Sequence, residues 1–207
     1  MKATRLRLGL LAGLLLAPST ATAEWALKLE RNHSTVSFSV PIVAGMTTGR
    51  GTFKNYDVEF VYDEEDISQW SVRATIKTES VDTDIEMRDR DLRGPLFFDA
   101  ANHPEITFQS KRIEKRGEGY VAIGTLTMRG VTKGIELPFV ITAVQWGGRE
   151  EKRPQLGVAV KWTVNRQDYG LGSDWRHSAI PNFIGDDVTV EIFLWTRRGR
   201  RPAASDE

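Results

Sequence analysis

The nine residues 156–164, LGVAVKWTV, place a large apolar side chain at every second position, and the polar Lys161 and Thr163 alternate with the last of them. Because successive side chains of a β-strand point to opposite faces, this pattern predicts a strand with one apolar face and one polar face. Such a strand buries its apolar face against other strands of the same kind.

The same alternation recurs along most of the chain. It is found at residues 36–40, 58–62, 70–76, 135–141 and 188–194. Antiparallel strands with one apolar face pack those faces together, so the pattern predicts an all-β sandwich or barrel. A barrel, unlike a sandwich, can enclose an interior space.

The beginning of the chain departs from this pattern and has the features of a secretory signal peptide. Three basic residues within the first seven positions precede an apolar run at residues 8–17, and residues 21–23, ATA, form a small-residue cleavage pattern. The apolar run is shorter than the roughly twenty residues that a membrane-spanning helix needs. We therefore expect residues 1–23 to be removed on export.

Composition restricts the class of protein. The chain has 28 basic and 28 acidic side chains, and the predicted signal peptide contains three of the basic ones. The mature protein is therefore slightly acidic, which argues against nucleic-acid binding. The absence of cysteine in an exported chain means that the strand core supplies the stability. We predict a periplasmic protein with one domain at residues 24–196 and a disordered basic tail at residues 197–207.

Residues 83–104 interrupt the strand pattern and predict a short helical insertion between strands. This interval contains the charged run RDRDLR at residues 88–93, which has two interpretations. Alternating charges are typical of a solvent-facing helix with internal ion pairs. Alternatively, Arg88 and Arg93 lie at the mouth of a cavity and hold a polar head group, with Phe97 and Phe98 as a lid across the opening.

Residue patterns typical of catalytic or metal sites are absent from the sequence. The chain has no cysteine, and its three histidines, His33, His103 and His177, have no metal-ligand spacing. No Gly-x-Ser-x-Gly motif is present either. We predict no catalytic residues, no metal and no cofactor.

Several segments, taken together and in order, resemble the YceI-like family of bacterial lipid-binding or polyisoprenoid-binding proteins. The segments are His33-Ser34, Gly51-Thr52-Phe53, Arg88-Asp89 with Leu92-Arg93, Phe97-Phe98-Asp99, and residues 103–108 (HPEITF), 124–132 (GTLTMRGVT), 166–170 (RQDYG) and 184–188 (IGDDV). One departure is visible, because family members commonly carry histidine where this chain has Asp91.

The resemblance implies an eight-stranded antiparallel barrel of lipocalin-like shape, usually dimeric, with a long apolar tunnel. In the family this tunnel holds an isoprenoid chain or a related amphiphile, such as an isoprenoid quinone. The expected partners are therefore a long-chain lipid, a second copy of the chain and, transiently, a membrane. The implied function is sequestration or transport of the lipid, without catalysis.

Eight residues are predicted to form the tunnel wall because each is apolar and in phase with a predicted strand. They are Phe38, Phe53, Phe60, Ile76, Phe108, Leu126, Met128 and Trp162. Two alternatives remain open at this point. The barrel could be filled and act only as a scaffold for protein interaction, or it could be an enzyme that uses Asp168, His177 or Arg88 on the same lipid.

Overall fold

The computed structural model describes residues 25–147 and 153–197. The strands are β1 (Trp25–Leu29), β2 (Thr35–Ile42), β3 (Thr47–Phe53), β4 (Tyr56–Tyr62), β5 (Ser71–Lys77), β6 (Val81–Asp82), β7 (Glu105–Arg116), β8 (Gly119–Met128), β9 (Val131–Gly147), β10 (Arg153–Asn165) and β11 (Asp187–Arg197). One α-helix, α1, spans Glu86–Arg93 within the described residues, in the predicted helical insertion.

The first six strands are joined end to end in pairs, and each pair forms one long bent strand. β2 pairs with β3, and β1 pairs with β4, so that the four segments make one long hairpin. The register shifts by two residues at the bend, because Val36 faces Phe53 whereas Lys28 faces Glu59. The short 3-10 helix Arg31–His33 occupies this bend. β5 and β6 are similarly joined through a 3-10 turn and pair with β4 and β3.

Counted in this way, eight strands form a closed antiparallel barrel. Each pairs with the next along the chain, and β11 returns to pair with β2, where Val190 faces Phe38, and with β1, where Leu29 faces Thr196. Closure removes the free edges that an open sheet would expose. The predicted eight-stranded barrel is confirmed.

The strand alternation gives the barrel its apolar interior. Leu156, Val158 and Val160 of β10 are all buried and belong to a single core cluster. β7 contains an irregularity at residues 110–112, opposite Gly124 of β8. A Cβ at Gly124 would lie 2.2 Å from the carbonyl oxygen of Gln109, so only glycine fits there.

The two ends of the barrel are closed differently. At the end where β4 stops and β5 starts, Phe60, Tyr62, Trp70, Tyr120 and Phe139 pack ring against ring. The indole N–H of Trp70 also donates to the backbone carbonyl of the β4–β5 turn, 2.6 Å away. At the opposite end, α1 and the long β10–β11 connection lie over the barrel.

The structure extends several predicted elements. The strands predicted from the alternation at residues 135–141 and 188–194 run further, as Val131–Gly147 and Asp187–Arg197. Arg197, the first residue of the predicted tail, is the last residue of β11. The predicted signal peptide and the rest of the tail lie outside the described residues. Within residues 25–147 and 153–197, no helix is both long and apolar enough to span a bilayer.

Candidate ligand-binding cavity

The barrel encloses a cavity of about 540 Å³ whose wall is formed by the inward faces of the strands. Its lining is overwhelmingly apolar, which is typical of sites that hold hydrophobic ligands. The volume falls within the range of about 300 to 1,000 Å³ found for small-molecule sites. The interior is therefore not completely filled by the protein's own side chains.

The residues predicted for the tunnel wall all line this cavity. They are Phe38, Phe53, Phe60, Ile76, Phe108, Leu126, Met128 and Trp162. One level of the wall is formed by Val58, Ala74, Phe108 and Leu126, which are paired in register across four strands. Gly51 leaves room for the Phe38 ring, since a Cβ at this position would lie 2.5 Å from it. Contact with a ligand stays a prediction for all of them.

The cavity has a closed end and an open end. Phe60 and Phe139 line it at the end where the aromatic rings pack, and the other rings of that group lie behind them. At the opposite end, Ile85 and Met87 line the cavity while 46% and 71% of their surfaces, respectively, remain exposed to solvent. The mouth therefore lies beside the first turn of α1.

A buried carboxylate attaches α1 to the barrel. Asp89 accepts hydrogen bonds from the Thr83 backbone N–H at 2.8 Å and from its hydroxyl at 2.6 Å. The helix also has acidic residues in its first turn and basic residues in its last, an arrangement that stabilises the helix dipole. Because Thr83 directly follows β6, these bonds fix the helix at the end of the barrel.

The arginines of α1 have three different environments. Arg90 is exposed and forms an ion pair with Glu86 at 3.5 Å. This agrees with the first interpretation, a solvent-facing helix with internal ion pairs. The Arg93 guanidinium donates to the carbonyls of Glu79 at 2.8 Å and Val81 at 2.7 Å. Arg93 does not line the cavity, so the structure does not bring it to the mouth.

Arg88 does lie at the mouth. It is partly buried and lines the cavity, and its side chain makes no hydrogen bond or ion pair with any residue in the described ranges. Its guanidinium lies against β3, where a Cβ at Gly49 would be 3.4 Å from Nη1. Of the two arginines predicted to hold a head group, the structure brings only this one to the cavity.

The predicted lid residues Phe97 and Phe98 are both buried and both line the cavity. Phe98 packs edge-on against Phe53 of the wall, with ring centroids 5.5 Å apart. The ring centroid of Phe97 lies 6.5 Å from that of Trp175. Trp175 belongs to the β10–β11 connection and also lines the cavity. The two rings therefore close part of the open end from inside.

Arg166, for which no role was predicted, organises the β10–β11 connection. Its partly buried guanidinium forms an ion pair with Asp186 at 2.8 Å. It also donates to four backbone carbonyls, those of Leu171, Gly172, Ile184 and Gly185. Burial lowers the pKa of Arg166, and Asp186 partly opposes that shift. Arg166 lies in the segment RQDYG, which resembles the family, and this could have marked it as important. The sequence does not show that its charge is withdrawn from solvent.

The candidate catalytic residues do not meet around the cavity. Asp168 forms an ion pair with Lys133 at 2.7 Å and does not line the cavity. His177 accepts hydrogen bonds at Nδ1 from the backbone N–H groups of Ala179 and Ile180. It lines an adjacent, smaller pocket that shares Arg166 and Trp175 with the cavity wall. Within the described part of the chain, no three acidic or histidine side chains cluster as metal ligands do.

Comparison with known proteins agrees with this architecture. Residues 27–194 match the YceI-like domain. The chain belongs to the YceI-like family. A UPF0312 protein of Serratia proteamaculans is 34% identical to this YceI-like chain over 172 residues, which cover 81% of this chain and 86% of the relative. A UPF0312 protein of Yersinia pestis is 32% identical over the same shares of both chains. The sequence resemblance is thus confirmed.

Solved structures show the same YceI-like barrel. BcnA of Burkholderia cenocepacia superposes with a TM-score of 0.70 at 22% identity, over 82% of this chain and 99% of BcnA. The YceI protein of Campylobacter jejuni gives 0.64 at 27% identity, over 74% and 87%. A polyisoprenoid-binding domain from Saccharophagus degradans gives 0.61 at 18% identity, over 84% and 99%.

Proposed function

We propose that this YceI-like protein binds a long isoprenoid or similar amphipathic lipid, with the chain inside the barrel. The single observation that carries the proposal is the apolar cavity of about 540 Å³ that opens at one end beside α1. Family membership supports it, as does the likeness to a domain described as polyisoprenoid-binding.

The energetics of an apolar chain are sufficient for binding without strong polar contacts. Burial contributes about 0.8 kcal/mol per methylene group, so about twenty carbons contribute about 16 kcal/mol. Association costs roughly 4 to 15 kcal/mol. Affinity in such a site comes mainly from the length of chain that is buried. Isoprenoid quinones, which carry the same kind of tail, satisfy the same wall.

The physiological role that we propose is export to the periplasm followed by sequestration or transport of the lipid, without catalysis. Exchange with a membrane requires a surface that contacts it transiently. Met46, Ile85 and Met87 supply exposed apolar side chains on the elements at the open end. We also propose a homodimer, which sedimentation velocity tests directly.

The scaffold alternative predicts that the barrel interior has no ligand. The test is to purify the protein from its own host, extract it with organic solvent and identify copurifying lipid by mass spectrometry. Delipidated protein is then titrated with geranylgeraniol, with fluorescence of Trp162 and Trp175 in the cavity wall as the signal. Empty extracts together with no uptake would refute the proposal and favour the scaffold.

Turnover of the bound lipid would refute the non-catalytic part of the proposal. The extracted lipid is incubated with the protein and analysed for changed mass, and the same assay is run on the His177→Ala variant. We expect no change of mass with either protein.

A further inference from the structure

The β10–β11 connection is fixed at its two ends and lightly held between them. At one end the backbone N–H of Gly172 donates to the carbonyl of Leu96 at 2.6 Å. At the other end the N–H of Gly185 donates to the carbonyl of Pro41 at 2.8 Å. Residues 173–183 lie between these ends and consist of turns, bends and irregular backbone. We call them the mouth segment.

The mouth segment forms part of the cavity wall at the open end. Its residues Trp175 and Phe183 both line the cavity, and their ring centroids are 5.7 Å apart. Trp175 also lies next to Phe97, one of the two rings that close part of this end. Movement of the mouth segment therefore changes the apolar surface that a chain in the barrel can contact.

One imidazole folds the second half of the mouth segment. Nδ1 of His177 accepts hydrogen bonds from the backbone N–H groups of Ala179 at 3.1 Å and Ile180 at 3.0 Å. Among the residues that the structure describes, the backbone of residues 177–183 makes no other hydrogen bond. The imidazole also stacks flat on Phe183, with ring centroids 4.5 Å apart and planes inclined by 7°. The position of Phe183 in the cavity wall therefore depends on this imidazole.

Protonation of the His177 ring is incompatible with these hydrogen bonds. Because Nδ1 is the acceptor, the neutral ring carries its proton on Nε2. A second proton goes to Nδ1, where it converts the acceptor into a donor that faces two other donors. Histidine is the side chain that ordinarily changes charge between about pH 5 and 8. Protonation in that range would therefore break both hydrogen bonds.

The charged groups around His177 keep their charges over the same pH range. Arg166, Arg176 and Asp186 line the smaller pocket together with it, and Asp174 is exposed on the mouth segment. Arg166 is paired with Asp186, and Arg176 donates to backbone carbonyls of the mouth segment. Guanidinium and carboxylate groups do not ordinarily titrate between about pH 5 and 8. His177 is therefore the group of this pocket that responds to pH in that range.

We propose that His177 is a pH-sensitive switch: its neutral ring holds the mouth segment over the open end, and protonation releases the segment and weakens lipid binding. The effect on lipid rests on the proposed function, whereas the opening of the mouth segment does not. Such a switch makes affinity depend on pH without any titratable group in the ligand.

The opening of the mouth segment is measured first, in delipidated protein. Hydrogen–deuterium exchange of residues 177–183 is followed by mass spectrometry at about pH 7.5 and about pH 5, and each rate is corrected for the intrinsic exchange rate at that pH. A neutral hydrogen bond contributes roughly a factor of two to ten. Because two are lost, we expect the corrected exchange to be about fivefold or more faster at the lower pH.

Three variants identify the group responsible. His177→Asn keeps an acceptor for the N–H groups that follow it and does not titrate, so we expect slow exchange at both pH values. His177→Ala has no acceptor and is expected to exchange quickly at both. His33→Asn is the matched control, because it removes a histidine that lies between β1 and β2, outside the cavity wall. We expect it to respond to pH as the wild type does.

Coupling to lipid is measured with geranylgeraniol, whose hydroxyl group does not titrate in this range. The Kd of tritiated geranylgeraniol is determined by equilibrium gel filtration at both pH values. We expect the wild type and His33→Asn to bind about fivefold or more weakly at the lower pH. His177→Asn is expected to have the same Kd at both.

Each contrary result has its own meaning. Equal corrected exchange of the wild type at both pH values, or a pH effect that persists in His177→Asn, would overturn the switch. Exchange that depends on pH together with an unchanged Kd would overturn its coupling to lipid. Absence of geranylgeraniol binding at both pH values would reject the proposed function, while exchange in the delipidated protein still decides whether the mouth segment opens.

Discussion

Enlarging Ala74 is expected to shorten the space available to a ligand chain. Ala74 lines the cavity, and its neighbours across the sheet, Val58 and Phe108, line it as well. A larger side chain here points into the barrel, where it takes space that ligand carbons would otherwise fill. The Ala74→Val and Ala74→Leu variants add two and three carbons, which makes a graded series.

The size of the effect follows from the hydrocarbon that is displaced. If each added carbon excludes one ligand carbon, at about 0.8 kcal/mol each, Val costs about 1.6 and Leu about 2.4 kcal/mol of binding free energy. These values correspond to about fifteenfold and about fiftyfold weaker binding. The ligand-free protein should lose no stability, because filling a void typically stabilises a fold by about 0.5 to 2 kcal/mol.

The assay measures the Kd for geranylgeraniol by tryptophan fluorescence and the free energy of unfolding by urea denaturation. Thr75→Leu is the matched control. Thr75 is adjacent on the same strand, points to the outer face and does not line the cavity. We expect Thr75→Leu to bind the ligand as the wild type does.

One combination of results would refute the reasoning. If Ala74→Leu is at least as stable as the wild type and binds geranylgeraniol with unchanged affinity, the chain does not occupy the barrel at this level. A loss of both stability and affinity would instead indicate that the site cannot accommodate the larger side chain. The Val variant separates that case, since its two added carbons strain the wall less.

Three further predictions concern the elements around the cavity. Asp89→Ala leaves the Thr83 N–H and hydroxyl without their acceptor, so we expect a loss of about 1 to 3 kcal/mol of unfolding free energy in urea. Arg166→Met removes the donor shared by five acceptors, so limited proteolysis should cleave residues 170–186 faster than in the wild type. Burial raises the pKa of Tyr169 above 10.0, so the unfolded chain loses that proton first. Stability should therefore fall as pH rises above about 10, and less steeply in Tyr169→Phe, as measured by urea unfolding across alkaline pH.

The strands could be predicted from sequence because an alternating side-chain pattern has one structural explanation at this length. The number of strands came from the family resemblance, since alternation counts segments and does not say which are continuous. β1 and β2 form one bent strand, yet the 3-10 helix Arg31–His33 separates them in sequence. The bend is visible only in the pairing with β3 and β4.

The cavity wall was predictable and its limits were not. Phe60 and Tyr62 are in phase on the same strand, but Phe60 lines the cavity and Tyr62 belongs to the packed end. Arg88 and Arg93 are chemically identical, yet five positions on a helix separate them by about 140° around its axis. That rotation directs one guanidinium to the cavity and the other to the carbonyls of Glu79 and Val81.

The aromatic packing at one end closes the barrel there, so its cavity opens only at the other end among the described residues. On the proposed function, a lipid enters tail first through the opening beside α1 and leaves head first through the same opening, so its direction inside the barrel is fixed. Chains longer than the bore would protrude, and chains much shorter would leave part of it vacant. The distance from the opening to Phe60 and Phe139 therefore limits the length of chain that the barrel can bury. Affinity should rise with the number of prenyl units only until the tail touches those rings.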